Sequence, residues 1–379
     1  MIYDVAIAGL GAMGSAAAFH LARRGVRVAG FDREHPPHTL GSTHGRSRII
    51  REAYFEDPAY VPLIQRAYEL WADLERERGE RLLIQTGGLM CGPESGVIVD
   101  GALRSAREHG LPHEVLSAHE IGRRFPAFAP DDDWVGIVEP RAGMLLPEPC
   151  VAAHLDLAAR AGADLHFNEA VLSWESAANG IEVRTGRTRV VARKLILAAG
   201  AWLTELAPEL QGVVEVERQM LHWFRPLRDA SLCAADRCPI ALFEWEPGRL
   251  VATFPDTGDG VKIGVHHEGE VTTPATVRRT TSTDEDRAIR MLLARVMPPA
   301  AGEQIESRVC LYTNTRDHHF LVDAHPAHAD VIVASPCSGH GFKFASAIGE
   351  VLADLALDGG SRFDLSLFGL ARERSAAAI

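Results

Sequence analysis

Asp4-Val-Ala-Ile-Ala-Gly9-Leu-Gly11-Ala-Met13-Gly14 decides the fold, and everything else in the chain is read outward from it. The apolar run from Tyr3 to Ala8 predicts a buried strand, the glycines a tight turn, and Ser15 to Arg24 a helix of good helix formers at helical spacing. A second apolar run, Val26 to Phe31, ends on the acid Asp32. This is one βαβ unit of the Rossmann kind, whose helix N-terminus offers unpaired N–H groups and a positive dipole end to a pyrophosphate. Gly9 permits the turn, Gly11 lets backbone approach phosphate, Gly14 lets helix and strand pack closely, and Asp32 stands where a carboxylate accepts ribose hydroxyls. The pattern points to a dinucleotide and does not say which one.

The 379 residues, 46% of them hydrophobic, are enough for two domains. With 39 basic and 51 acidic side chains the net charge is −12, which argues against nucleic acid and against an anionic membrane surface as partners. Six cysteines without a CxxC pair read as reduced thiols, with no metal site expected. With no signal-like leader and no membrane-length apolar stretch, a cytoplasmic protein is expected.

After Asp32 the chain enters a Gly/Pro/His-rich loop ending in Arg46, Arg48 and Arg51. Three arginines in six residues repel one another, so either an anion compensates them or the loop is simply solvated. Val61 to Leu74 has the spacing of an amphipathic helix. Residues 81–145 lack the βαβ rhythm and read as an excursion into a second domain, with a helix near Asp100 to His109. Helix Glu148 to Ala161, a strand at Ala163 to Phe167 and a hairpin at Ile181 to Arg184 and Arg189 to Ala192 follow, and then a buried strand from Lys194 that runs into Gly200 and Trp202. Small residues at that strand's end suit backbone lying against a cofactor. Residues 215–312 read as strands, including Val251 to Phe254 and Val261 to Val265 about a Gly/Asp turn. A strand Val331 to Ala334 then leads through a glycine-rich loop into a helix from Ala345 to Leu357, and the polar C-terminus is expected to fray.

Four motifs in this order carry a resemblance: the GxGxxG unit, Gly41-Ser42-Thr43-His44-Gly-Arg-Ser-Arg48-Ile-Ile-Arg51-Glu-Ala-Tyr54, Cys310-Leu-Tyr-Thr313, and Ser338-Gly339-His-Gly341-Phe342-Lys343-Phe344. Over essentially its whole length the chain resembles the monomeric sarcosine oxidase and N-methyltryptophan oxidase family. The resemblance implies an α/β (overall α+β) flavoprotein of the D-amino-acid-oxidase type with two domains, both discontinuous in sequence. The FAD-binding domain would comprise 1–80, 146–214 and 313–379, and the mostly antiparallel substrate domain 81–145 and 215–312.

The resemblance further implies residue roles. Cys310 matches the cysteine bonded to the flavin 8α-methyl, against the plainer reading of a small buried thiol. Arg51 and Lys343 match the pair that holds the substrate carboxylate, and two cations from distant parts of the sequence do call for a shared anion. Lys262, in Gly260-Val-Lys-Ile-Gly264, matches the lysine that activates oxygen through a fixed positive charge. By its place in an alternating strand alone, it would be solvent-facing. His44, Arg48 and His266 match residues around the flavin ring, with core filling as the rival reading for His266. Gly9, Gly11, Met13, Gly14, Asp32, Ser42, Thr43, Gly200, Trp202, Gly339, Gly341 and Phe342 complete the implied FAD contacts.

The implied activity is oxidation of a secondary amino acid to an imine, with O2 reduced to H2O2, by a monomeric enzyme. Departures from the family pattern bear on the substrate: Ala252 stands for a tyrosine, Pro336-Cys337 for a glycine and a larger apolar residue, and Arg46 for an acid. Ala252 and Cys337 remove bulk while Phe243 and Trp245 add it near the pocket, which favours a bulkier N-methylated or cyclic amino acid as much as sarcosine. Two other readings stay open: a flavin dehydrogenase that uses an acceptor other than oxygen, and a non-catalytic dinucleotide-binding protein.

Overall fold

The computed structural model describes residues 2–372, so the expected fraying of the C-terminal tail lies outside the described residues. Strand Ile2–Ala8, helix Ala12–Arg23 and strand Val28–Phe31 follow one another as the opening stretch requires, and the two strands pair in parallel from Val5↔Val28 to Ala8↔Phe31. Sterics explain the glycines. Gly9 has φ +95°, and a Cβ there would lie 2.4 Å from the Ala198 carbonyl oxygen; a Cβ on Gly14 would lie 1.8 Å from the Gly9 carbonyl oxygen.

These strands belong to an eight-stranded sheet in which six lie in the order Val171–Ala177, Gly180–Thr185, Arg189–Leu197, Ile2–Ala8, Val28–Phe31, Asp164–His166, while His328–Ser335 pairs with Arg189–Leu197 and Leu321–His325 with His328–Ser335. Arg189–Leu197 is a single strand where the sequence suggests two. Its first half pairs antiparallel with Gly180–Thr185, and its second half pairs in parallel with His328–Ser335. Two partners on one edge account for the two differently patterned runs. Helix Ala345–Asp358 packs on helix Ala12–Arg23 closely enough that a Cβ on Gly349 would stand 2.5 Å from the Ala16 Cβ.

A nine-stranded sheet runs Val271–Thr272, Val214–Phe224, Val261–His266, Arg249–Phe254, Ile240–Glu246, Gly88–Pro93, Trp134–Glu139, Glu114–Ser117, with Gln304–Thr315 also paired to Val214–Phe224. Its pairings are antiparallel except that of Ile240–Glu246 with Gly88–Pro93. A three-stranded sheet of Arg48–Ile50, Gly143–Leu145 and Leu83–Ile84 carries the arginine loop. The segment 81–145 is therefore shared: its middle builds the large sheet and its two ends brace the loop that starts at Arg48.

Helix Val61–Arg78 buries Val61, Ile64, Ala67, Trp71 and Leu74 and ends on Gly79 in the left-handed conformation. One helix departs from the strand-like reading of 215–312. Thr283–Val296 opens on a capping box, with Ser282 accepting from the Glu285 N–H and the Glu285 carboxylate accepting from the Ser282 N–H. Among the described residues no helix is long and apolar enough to cross a membrane.

Candidate active site

A cavity of about 530 Å³ runs from the opening βαβ unit to the glycine-rich loop before the last long helix. Gly9, Gly11, Met13, Asp32, Ser42, Thr43, Gly200 and Trp202 all lie on its wall. The helix that follows Gly11 has no cap from its own N-cap residue, and beyond Ala12 N, which donates to Thr43 Oγ1 at 3.4 Å, its start can serve an anion. A Cβ on Gly11 would meet only Thr43 Oγ1, at 3.5 Å, so this backbone is open toward the cavity. Asp32 is held at the strand end: one carboxylate oxygen accepts from Leu10 N at 2.7 Å and the other from Glu34 N at 3.0 Å. An uncapped helix start, an open glycine and a fixed buried carboxylate fit the adenosine and pyrophosphate half of FAD. Gly14 is the exception among the expected contacts. It is absent from the wall and acts by letting the helix sit against the Gly9 turn.

The three loop arginines do not share one anion. Arg46 pairs with Glu306 at 2.5 Å, and Arg48 donates to the carbonyls of Ser42 and Ser47, both at 2.8 Å. Arg51 pairs with Glu56 at 2.6 Å and donates to the Ala53 carbonyl at 2.9 Å, with its guanidinium 4.3 Å from the Tyr54 ring and 4.5 Å from that of Phe55. Its Nε has no hydrogen-bond partner among the described residues.

Lys343 comes to the same place from the other end of the chain. Its Nζ donates to the His340 carbonyl at 2.6 Å and to the Tyr54 hydroxyl at 3.4 Å. Burial, and then the Arg51 charge, lower the Lys343 pKa to about 7. Burial, the largest single influence, would raise Glu56, but Arg51, His340 and Lys343 together outweigh it and take the carboxyl down to about 2. Arg51, Glu56 and Lys343 all line the cavity, so one acid faces two cations there.

Lys262 is 2% exposed, against the solvent-facing position its strand alternation suggests. Hairpin partner Arg249–Phe254 turns this face inward, and Nζ sits 4.3 Å from the Phe254 ring. It donates to Gly45 O at 2.9 Å, Ser47 O at 2.6 Å and Ser47 Oγ at 3.2 Å. Burial, and next the positive Arg48, push its pKa well below that of an exposed lysine. The three oxygens match the three donors of an ammonium and are what holds a proton there.

His266 lies on the wall with Nδ1 3.1 Å from the Tyr312 hydroxyl, and burial, with His267 beside it, lowers its pKa to about 3. Cys310, also on the wall, has its Sγ 3.6 Å from an Arg48 Nη. Gly339, Gly341 and Phe342 complete the loop at this end.

Three expected residues are displaced: His44, Phe243 and Trp245, the last packed against the hydrophobic cluster of Phe128 and Trp134 and absent from the wall. His44 is 1% exposed and stands behind the wall rather than on it; neither ring nitrogen has a partner among the described residues, and burial, with Arg48, lowers its pKa to about 3. Phe243 points away from the cavity into a second core, against Phe128 and Trp134. A strand alternates faces, so its neighbour Leu242 takes the wall position, opposite Ala252.

Glu56, Tyr312 and His340 are site residues that the motif reading leaves without a role. Glu56 lies two residues beyond the loop motif, and no local pattern marks it. His340 sits three residues before Lys343 in the same glycine-rich loop, and its Nδ1 meets the Tyr54 hydroxyl at 2.6 Å.

The family model described as FAD dependent oxidoreductase matches residues 4–355. A monomeric sarcosine oxidase of Streptomyces avermitilis is 44% identical over 380 residues, covering 99% of both chains. An N-methyl-L-tryptophan oxidase of Yersinia pestis is 35% identical over 375 residues, covering 99% of this chain and all of the relative. Among solved structures, NikD, an unusual amino acid oxidase essential for nikkomycin biosynthesis, superposes in its open form with a TM-score of 0.83 at 24% identity, covering 97% of each chain. That likeness shows the fold.

Proposed function

The chain belongs to the FAD dependent oxidoreductase family, in the group that holds the monomeric sarcosine oxidases and N-methyl-L-tryptophan oxidases, and from this we propose an FAD-dependent oxidase of secondary amino acids. The observation that carries the proposal is that Arg51 and Lys343, from opposite ends of the sequence, both reach the cavity wall and meet around the buried Tyr54 behind it. Glu56 offsets one of these two buried cations, and the carboxylate of an amino acid supplies the second anion in a form Arg51 can grip.

In this reading residues 1–80, 146–214 and 313–379 hold FAD and residues 81–145 and 215–312 cover the substrate. Gly9, Gly11, Met13, Asp32, Ser42, Thr43, Gly200 and Trp202 hold the nucleotide half. Arg48, Gly339, Gly341 and Phe342 surround the reactive half, with Cys310 placed for a permanent thioether. When bound, FAD accepts the two electrons of the amine C–H bond.

Arg51 and Lys343 anchor the carboxylate and so fix which C–H bond of the substrate is presented. The depressed pKa values of His266 and His340 keep both imidazoles neutral, so neither adds a cation that would repel a protonated amine at the site. The substrate loses two electrons and two protons, one from carbon and one from nitrogen, to become an imine. Water then adds to the imine and releases the amine and a carbonyl compound. Lys262 stabilises the negative charge that develops as O2 takes up two electrons and two protons to give H2O2. Ala252 lies on the wall and leaves room there, which suits a bulkier N-methylated or cyclic amino acid as much as sarcosine. The enzyme acts as a monomer in the cytoplasm.

The test is a peroxide-coupled screen of the yellow holoenzyme in air over N-methyl, cyclic and primary amino acids. Peroxide with a secondary amino acid supports the proposal. Substrate-dependent bleaching of the flavin without peroxide would identify a dehydrogenase, and a colourless protein a dinucleotide binder of another kind. Acid precipitation tests the thioether: a yellow pellet supports attachment at Cys310, and flavin left in the supernatant refutes it.

A further inference from the structure

Glu139 is the last residue of strand Trp134–Glu139 in the nine-stranded sheet and is 1% exposed. Its carboxylate reaches across to the arginine loop. Oε1 accepts from Glu52 N at 2.6 Å and Oε2 from Ala53 N at 2.8 Å. The same Ala53 peptide unit region then turns to Arg51, whose Nη1 donates to the Ala53 carbonyl at 2.9 Å. A chain of hydrogen bonds therefore runs from one sheet, through two successive backbone amides, to the guanidinium on the cavity wall.

We propose that Glu139 is a positioning residue for the carboxylate anchor, fixing the backbone turn whose carbonyl aims Arg51 into the cavity. This rests on the reading of Arg51 as that anchor. A guanidinium held at one nitrogen by Glu56 and at another by Ala53 keeps its plane between Tyr54 and Phe55 only while the turn stays in place.

The arrangement needs an ionised carboxylate, because only then are both oxygens full acceptors; once protonated, one oxygen becomes a donor that faces an N–H. Burial raises the Glu139 pKa to about 7, against the lowering effect of the two amides and of Arg51. The charged and titratable groups around it are Arg51, Glu52 and Tyr68, with Arg141 paired to Glu52 at 2.6 Å. Glu52 is the like charge among them and holds the pKa up. Protonating Glu139 thus loosens the anchor as pH falls through this range. Lys343 gives the opposite limb, since it loses its charge as pH rises through about 7.

The test uses the flavin-loaded enzyme and acetate as the carboxylate probe, with binding measured by calorimetry from about pH 6 to about pH 8. Glu139→Gln presents an NH2 to one of the two amides. It is expected to weaken acetate binding about tenfold at neutral pH, to abolish the acid limb, and to leave kcat at saturating substrate within about twofold. Unchanged affinity, or a weakened affinity that keeps the acid limb, overturns the proposal. If Glu139→Gln does not fold, Glu52→Gln serves: removing the like charge moves the acid limb to lower pH, and a limb that stays in place overturns the proposal. Arg51→Ala is measured alongside. Wild-type acetate affinity there overturns the anchor reading and this inference with it, whereas a loss in Arg51→Ala with none in Glu139→Gln overturns this inference alone.

Discussion

The two ends of the cavity are built on different principles. At the βαβ end the working parts are backbone: an uncapped helix start, an open Gly11, and a carboxylate whose two oxygens are occupied by neighbouring N–H groups. At the other end they are buried ions and imidazoles contributed by the arginine loop, the 261–266 strand, the long strand through Cys310 and the 338–344 loop. The first end is made by local sterics, with no space for a Cβ at Gly9 or Gly14. The second is made by long-range charge balance, and each of its cations already has an internal partner. Damage at the first end should remove the cofactor, and damage at the second should leave the cofactor bound and impair one step.

The largest effect is expected for Gly14→Val. Its Cβ would collide with the Gly9 carbonyl, 1.8 Å from the ideal position, and the collision cannot be relieved by a side-chain rotation. Loss of about 3 kcal/mol or more of stability is expected, with little flavin in the purified protein by visible absorbance. A variant with full flavin content would break the contrast.

Next comes Lys262→Met, at the other end. Stopped-flow mixing of the reduced enzyme with air should show reoxidation slowed by about 10²- to 10³-fold, with reduction by substrate far less affected and flavin content normal. Equal slowing of both half-reactions would take Lys262 out of the oxygen step.

Arg51→Ala should raise KM by about 10- to 100-fold, as loss of a charge-assisted bidentate grip implies, again with flavin retained. An unchanged KM removes Arg51 from the anchor.

The smallest effect is one of pH. Lys343 has its pKa lowered to about 7, so its charge is present below that pH and is lost above it. KM should therefore climb by about tenfold toward alkaline pH, and Lys343→Arg, whose guanidinium keeps its charge throughout, should flatten the climb. A climb that persists in Lys343→Arg assigns it to another group.

The contrast between the two ends also decides what the sequence discloses. Residues 4 to 32 spell the nucleotide end in one contiguous stretch, because strand, turn and helix are local and their glycines have steric reasons visible in the pattern. Sequence alone misplaced Lys262, since alternation marks which faces a strand has but not that both faces of this hairpin are covered. Phe243 shows the same limit in phase: one step along the strand separates the cavity wall from the second core, and Leu242 holds the wall. His44 belongs to a motif yet stands behind the surface that motif builds. Glu56 and Glu139 carry no motif at all. Their places follow from which distant backbone the fold brings to them, as with the two amides that Glu139 receives from the loop after Arg48–Ile50.

The measurement that bears most directly on the proposed function compares a secondary amino acid with the same amine lacking its carboxylate, in the peroxide assay on the holoenzyme. Removing the carboxylate leaves Arg51 and Lys343 facing one acid, Glu56, instead of two, and kcat/KM is expected to fall by about 100-fold or more. Equal kcat/KM for the acid and its decarboxylated counterpart would contradict a site organised around a substrate carboxylate.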